Sequence, residues 1–145
     1  MRIAQHSILI ARPPEEVFAF FTDFSKSTLW RQYVTSMTRV DHGPLKAGSR
    51  LHVVMDISGK DYEFDLEVLV FEPPRVWRHR TNEGEFNGFI EYRFEPVSEG
   101  TRVTLSIQAT PVTLYGWLAI PLLMMKRGQS YVDQLPRLKR AMEAA

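Results

Sequence analysis

The chain has 145 residues, of which 44% are hydrophobic and 24% charged, a balance typical of one globular domain. Its formal net charge of +1 gives no strong field for attracting nucleic acid or acidic membranes, so we expect no nucleic-acid partner. Cysteine is absent, which excludes disulfides and zinc–thiolate sites. The N-terminus has no signal-peptide core, and the most apolar run, 117–125, is far shorter than the ~20 residues of a membrane helix. We therefore expect a cytoplasmic protein forming a single domain, 1–145, with no integral membrane segment.

The first third of the chain predicts one strand and two short helices. Residues 3–10 predict a strand, and the two prolines and two glutamates at 13–16 favour a helix start, because proline lacks the N–H that a first turn leaves unpaired. Four apolar residues then recur at helical spacing: Val17, Phe20, Phe21 and Phe24. A second short helix is predicted over 25–31, with Leu29 and Trp30 as its apolar residues.

From residue 34 onward the hydrophobic pattern changes to a period of two, which indicates β-strands. The predicted strands are separated by turn residues and cover 34–42, 51–57, 62–71, 76–81, 86–94 and 101–109. Short turns join antiparallel neighbours, so we expect a meander, with the first strand closing one end of the sheet. An outward row of carboxylates at Glu63, Asp65 and Glu67 distinguishes the solvent face from the core face.

The last part of the chain predicts one long amphipathic helix. Apolar or small residues recur every three or four positions: Leu118, Leu122, Met125, Gly128, Val132, Leu135, Leu138 and Met142. Pro121 suits a helix start, so the main helix is expected to begin near it, and Pro136 is expected to kink the last turns. We therefore predict an α+β fold, in which a curved antiparallel sheet of about seven strands wraps around this helix. Any gap between the two layers would be a hydrophobic cavity.

Five segments spread over most of the chain are similar to one superfamily. They are 10–23 (IARPPEEVFAFFTD), 71–77 (FEPPRVW), 92–96 (YRFEP), 100–104 (GTRVT) and 135–143 (LPRLKRAME). Together they resemble the START / Bet v-type helix-grip superfamily, known as SRPBCC, and within it the polyketide cyclase/dehydrase and lipid-transport-like proteins. The resemblance implies a helix-grip fold with a hydrophobic cavity for a lipid, polyketide, sterol or aromatic ligand. It does not imply an enzyme, because these segments report turns and packing, and fold does not decide function.

The predicted cavity wall combines the inward faces of the strands and of the long helix. Gly88 and Gly128 fall on these two walls, where a missing side chain leaves volume; close packing of helix on sheet is the alternative explanation. Methionine is a flexible filler suited to adaptable ligand walls, although Met55 and Met125 are equally compatible with an ordinary core. The residues predicted to contact a ligand are Met55, Phe64, Trp77, His79, Gly88, Ile90, Tyr92, Trp117, Leu122, Met125, Gly128 and Gln129.

Two polar residues on these apolar faces are the candidates for chemistry. On the strand over 76–81, Arg78 and Arg80 share one face and are better left in water, which places Trp77 and His79 inside. His79 is then the histidine suited to acid–base work, and the hydroxyl of Tyr92 could orient a ligand. The alternative is that both are satisfied core or rim residues.

Other kinds of site receive little support from the sequence. No histidine pair has metal-ligand spacing, and no glycine-rich phosphate loop follows a strand, so we expect neither a metal nor a cofactor. The carboxylates of the predicted strands fall on outward faces, which argues against a paired-carboxylate site. A homodimer is compatible with the sequence, although nothing in it requires one.

Three functional hypotheses follow. The first is a carrier, chaperone or sensor that binds a hydrophobic small molecule of lipid, polyketide or aromatic type. The second is a cyclase or dehydratase acting on a polyketide-like substrate, with His79 as the base and Tyr92 bonding an enolate or carbonyl oxygen. The third is docking on a membrane or partner through 115–120, unless Trp117 instead plugs one end of the cavity.

Overall fold

The computed structural model describes the backbone of residues 2–82 and 86–144, and the side chains of 4–81, 87–115, 118 and 132–144. These residues form strands, α-helices and one short 3₁₀ turn. In chain order they are β1 (Arg2–Ile10), α1 (Pro14–Phe21), the 3₁₀ turn (Phe24–Lys26), α2 (Ser27–Trp30), β2 (Val34–Arg39), β3 (Arg50–Ile57), β4 (Lys60–Glu72), β5 (Val76–Asn82), β6 (Phe86–Val97), β7 (Gly100–Pro111) and α3 (Leu114–Glu143).

The strands form one curved antiparallel sheet in the order β1-β7-β6-β5-β4-β3-β2. Strands β2 to β7 follow one another as a meander, and β1 pairs with β7 at the far edge. The predicted α+β architecture is therefore confirmed, including the first strand closing the sheet. Because neighbouring strands are antiparallel, the β3–β4 turn, the end of β5, the start of β6 and the end of β7 all lie at one end of the sheet.

One face of the sheet carries the core. Helix α3 packs against β1 and β7, α1 packs against β6 and β7, and α2 lies between α3 and β2. Alternate residues of the central strands are at most 2% exposed: Trp77, Ile90, Tyr92, Phe94, Val103, Leu105 and Ile107. On the opposite face, Glu63 and Asp65 are exposed, as the period-two pattern predicts.

The long helix differs from its prediction at its N-terminal end. It begins at Leu114, so that Pro121 lies inside it and not at its start. A proline inside a helix removes one hydrogen bond and its ring clashes with the carbonyl four residues earlier, so this position is costly and other interactions of the helix must offset it. Leu118, predicted to begin the buried stripe, is 76% exposed, whereas Leu135 and Leu138 are buried. The apolar stripe therefore does not reach the first turns.

The segment after α1 also differs from its prediction. The helix expected over 25–31 is divided into the 3₁₀ turn and the single turn of α2. Trp30 is fully buried and Leu29 is 59% exposed, because neighbouring positions on one helical turn point in different directions. The strand predicted over 34–42 ends at Arg39, before the turn residues.

A close backbone contact joins the β6–β7 turn to the corner between β1 and α1. Gly100 has a φ of +134°, and a Cβ atom there would overlap the carbonyl oxygen of Ile10 and lie 2.8 Å from the nitrogen of Arg12. Beside it, the Thr101 hydroxyl donates to the Arg12 carbonyl at 2.7 Å. The Glu143 carboxylate accepts from the backbone N–H of Ala11 at 2.9 Å, which attaches the end of α3 to the same corner.

We predict that Gly100→Ala lowers the free energy of unfolding far more than Gly43→Ala. Both glycines have positive φ, which costs an alanine roughly 1–2 kcal/mol, but a Cβ atom at Gly43 meets nothing within 4 Å. The overlap at Gly100 should add roughly 1–3 kcal/mol, because backbone atoms cannot move aside as a side chain can. Urea unfolding of the two variants measures the difference, and equal losses would contradict the assigned contact.

Candidate functional site

Strand β5 places an indole and an imidazole on the inner face. Trp77 is 1% exposed and His79 2% exposed, whereas Arg80 on the other face is exposed, so the predicted orientation of this strand is confirmed. Across the β5–β6 pairing, Trp77 lies opposite Tyr92 and His79 lies opposite Ile90. His79 and Tyr92 are thus held at neighbouring positions on this face, and Thr81 is a further buried polar side chain of β5.

The Trp77 indole determines which nitrogen of His79 carries the proton. Its Nε1–H donates to His79 Nδ1 at 2.8 Å, and an indole nitrogen can only donate, so Nδ1 must be unprotonated. Burial, and then the positive charge of Arg31, lower the pKa of His79 to about 3. At neutral pH the imidazole is therefore neutral with its proton on Nε2. This Nε2–H has no hydrogen-bond partner among the described residues, although the atom is buried.

Arg31 is the member of the site that the sequence pattern did not indicate. It is only 7% exposed, and its Nη2 donates to the Phe21 carbonyl at 3.4 Å. Its guanidinium carbon lies 4.1 Å from the centroid of the Trp30 ring and 4.9 Å from that of Phe21, which are cation–π distances. A single helical turn has no period from which the burial of the next residue could be predicted, and arginine is usually solvated.

The Phe21 ring connects these groups. Its centroid lies 4.6 Å from Tyr92 and 5.5 Å from both Trp77 and Trp30. Arg31 and the Trp77–His79 pair therefore flank the same aromatic ring. In such surroundings water does not screen charges, so electrostatic and hydrogen-bonding interactions are stronger than at the surface.

The remaining predicted contact residues fall into three groups. Ile90 is almost fully covered, whereas Met55 and Phe64 face the same side of the sheet and are only partly buried. A Cβ atom at Gly88 would lie 2.9 Å from the hydroxyl of Thr81, its partner on β5, so this glycine makes room for a side chain of the neighbouring strand. The other predicted positions have side chains outside the described part of the chain: Trp117, Leu122, Met125, Gly128 and Gln129.

A cluster of one histidine and two carboxylates lies on the outer face of the sheet. His52 bonds the Asp65 carboxylate through Nδ1 at 2.6 Å and the Glu63 carboxylate through Nε2 at 2.9 Å. These two partners, Asp65 first, raise the pKa of His52. Within the described residues, no group of three or more histidine and carboxylate side chains is arranged to hold a metal ion. The same part of the chain contains no helix with the length and hydropathy needed to cross a membrane.

We predict that His79 stays neutral, with its proton on Nε2, from about pH 8 down to about pH 5, because its pKa is about 3. Long-range ¹H–¹⁵N correlation spectra of the labelled protein distinguish the two neutral tautomers and the imidazolium. The pKa of His79 in the folded protein lies below the ordinary value of 6.5, which applies to the unfolded chain. The neutral imidazole's contribution to the stability of the fold is therefore complete above pH 6.5 and is lost as pH falls toward 3, because the unfolded chain binds the proton first.

The control for this measurement is Trp77→Phe, which keeps an aromatic ring and removes the indole N–H that bonds Nδ1. This variant should show a mixture of His79 tautomers. A parent protein whose His79 titrates near pH 6.5, or carries its proton on Nδ1, would contradict the assignment.

Comparison with known proteins places the fold in a family. The sequence profile of polyketide cyclase / dehydrase and lipid transport proteins matches residues 1–143, and no curated protein matches the chain. The solved structure of TTHA0849 from Thermus thermophilus has a TM-score of 0.76 to this chain at 23% sequence identity, over 97% of each protein.

Two di-domain ARO/CYC proteins have the same fold in part of their length. They are StfQ from the steffimycin biosynthetic pathway and BexL from the BE-7585A biosynthetic pathway, each with a TM-score of 0.78, at 11% and 19% identity. The match covers 97% and 99% of this chain but 50% and 47% of theirs, and such low identities show the fold alone. The helix-grip architecture is thus confirmed, and by its profile match the chain belongs to the polyketide cyclase/dehydrase and lipid transport family.

Proposed function

We propose that the protein binds a hydrophobic small molecule of lipid, polyketide or aromatic type between the inner face of the sheet and α3, as a carrier, chaperone or sensor. The family description, which names polyketide cyclases and lipid transport, supports this class of ligand. In this proposal the chain is a single domain, 1–145. The residues predicted from the sequence to contact a ligand form the wall in this proposal.

The observation that carries this proposal is a gradient of burial along the inner face. On β3, Leu51 and Val53 are at most 3% exposed, whereas Met55 is only partly buried. On β4, Val68 is fully buried, Phe64 is partly buried and Tyr62 is 43% exposed. A core closed along its whole length would bury these side chains equally. The inner face therefore opens toward the β3–β4 turn, which we infer to be the mouth of the cavity.

The alternative of a cyclase or dehydratase receives less support from the chemistry of His79. A general base needs a nitrogen that is free to accept a proton and a pKa near the working pH. In His79 one nitrogen accepts from Trp77, the other carries the proton, and the pKa is about 3. The imidazole is disposed to donate a hydrogen bond, which suits ligand binding better than proton abstraction.

To test the proposal, we compare Met55→Trp with Val54→Trp. These neighbours lie on one strand with their side chains on opposite faces, so a bulky group enters the proposed cavity only in the first variant. With the uncharged fluorescent probe N-phenyl-1-naphthylamine, Met55→Trp should weaken binding roughly tenfold, about 1.4 kcal/mol, while Val54→Trp leaves it unchanged.

The parent protein provides the decisive control for this comparison. It should bind the probe and should release a lipid-like or aromatic molecule on native mass spectrometry after purification. The proposal would be overturned by a parent that binds neither the probe nor any copurifying molecule. It would also be overturned if both tryptophan variants bound the probe as the parent does.

We propose as a second function that the mouth docks on a lipid bilayer. Exposed apolar side chains occur where β7 passes into α3: Val112 (59%), Leu114 (78%), Tyr115 (66%) and Leu118 (76%). This junction lies at the same end of the sheet as the β3–β4 turn. Exposed aliphatic and aromatic residues grouped in this way are suited to the interface of a bilayer. A cavity that opens there would receive its ligand without the ligand crossing water.

The combined variant Leu114→Ser, Tyr115→Ser and Leu118→Ser should lose co-sedimentation with phosphatidylcholine vesicles. The matched control is Leu29→Ser, which removes a leucine that is 59% exposed on another helix and should not change sedimentation. The two variants should differ because Leu114, Tyr115 and Leu118 lie at the proposed mouth, whereas Leu29 does not. If the parent does not sediment with vesicles, or if both variants lose sedimentation equally, docking at this junction is wrong.

A further inference from the structure

We propose that the ligand carries an anionic oxygen on its hydrophobic body, such as a carboxylate, and that His79 Nε2–H and the Arg31 guanidinium bind this oxygen at the closed end of the cavity. The inference rests on the proposed ligand-binding function and names the chemical class of the ligand. Trp77 acts as a positioning residue, because its indole holds His79 in the tautomer that donates.

Two buried hydrogen-bond donors support this inference. His79 Nε2–H and Trp30 Nε1–H are both buried, and neither has an acceptor among the described residues. Buried polar groups in folded proteins nearly always have a partner, and an unpaired one reduces stability. Because both of these groups donate, the missing partner must accept. A ligand oxygen is such an acceptor.

The position of the Arg31 charge also favours an anionic oxygen on the ligand. The guanidinium is 7% exposed and lies over the rings of Trp30 and Phe21. The Trp77 ring contacts the same Phe21 ring at 5.5 Å, and Trp77 is bonded to His79 at 2.8 Å. A fixed positive charge and an oriented donor thus flank one ring inside an aromatic enclosure. Placed next to a charge and away from water, an anionic oxygen is preferred over a neutral one.

The depth of the site along the sheet indicates which end of a ligand would reach it. His79 lies opposite the fully buried Val68, and the next inward residue of β5, Thr81, lies opposite Leu66. Phe64 and Tyr62 continue along β4 from Leu66 toward the mouth, and burial decreases in that order. A ligand with one polar end would therefore direct its oxygen toward His79 and its apolar part toward the mouth.

The experiment measures the binding of 2-naphthoic acid and 2-methylnaphthalene, which share one ring system and differ in the carboxylate. At pH 7, where the acid is ionised, Arg31→Met and His79→Phe should each weaken binding of the acid roughly tenfold or more. Neither change should alter binding of the hydrocarbon by more than about threefold, because the apolar wall remains. His79→Gln restores an N–H donor and should recover part of the lost affinity for the acid.

The matched control is Arg78→Met, which removes an arginine from the outer face of β5 and should leave both affinities unchanged. Near-ultraviolet circular dichroism checks that each variant is folded. If His79→Phe does not fold, the affinities of Arg31→Met and Arg78→Met for 2-naphthoic acid decide whether the buried charge binds the carboxylate.

The outcomes separate this inference from the proposed function. Binding of both compounds that is unaffected by Arg31→Met and His79→Phe would overturn the anionic-oxygen site and leave the hydrophobic cavity standing. That result would mean that bound water satisfies the buried donors. A parent that binds neither compound, nor the uncharged probe, would overturn the cavity itself. Selective loss of the acid in both variants supports the site.

Discussion

The packing of Phe21 against the inner face of the sheet is the contact on which the site depends. This residue ends α1, and its ring meets Tyr92 of β6 at 4.6 Å, Trp77 of β5 at 5.5 Å and Trp30 of α2 at 5.5 Å. Its carbonyl accepts from Arg31, whose guanidinium also lies over its ring. Aromatic pairs at these distances add stabilisation beyond that of area burial. One side chain thereby joins α1 and α2 to strands β5 and β6 and packs against the buried charge.

The inner face combines a well-packed half and an open half, and the two have different roles. Around Phe21 the aromatic side chains are covered and enclose Arg31 and His79, which would be costly to bury without a compensating interaction. Toward the β3–β4 turn the side chains on the same face become progressively exposed. Dense packing keeps the polar groups in fixed positions, and in the proposed function the open half admits the ligand that reaches them.

Solved structures with this fold share its backbone arrangement but few of its side chains. A TM-score of 0.78 at 11% identity shows that the backbone arrangement persists while most side chains change. The fold supplies a curved sheet and a long helix packed against it. Any specificity must come from the side chains, and in the described part of this chain Arg31, Trp77, His79, Thr81 and Tyr92 bring polar groups into the buried interior. Function therefore depends on these residues and is not set by the fold alone.

The local pattern of residues determined much of this protein. The period of two predicted the strands and the outer row of carboxylates, and the short turns predicted the meander. It also placed Trp77 and His79 inside, because Arg78 and Arg80 alternate with them. These features depend on neighbours along the chain, so a single sequence contains them.

Only the tertiary structure decided the features that depend on residues far apart in sequence. The burial of Arg31, the exposure of Leu118 and the continuation of α3 past Pro121 are set by which element packs against which. The tautomer of His79 needs the distance to the Trp77 indole, and its depressed pKa needs the desolvation that the surrounding layers provide. No pattern along the chain records these distances, because they exist only after the sheet has folded over its helices.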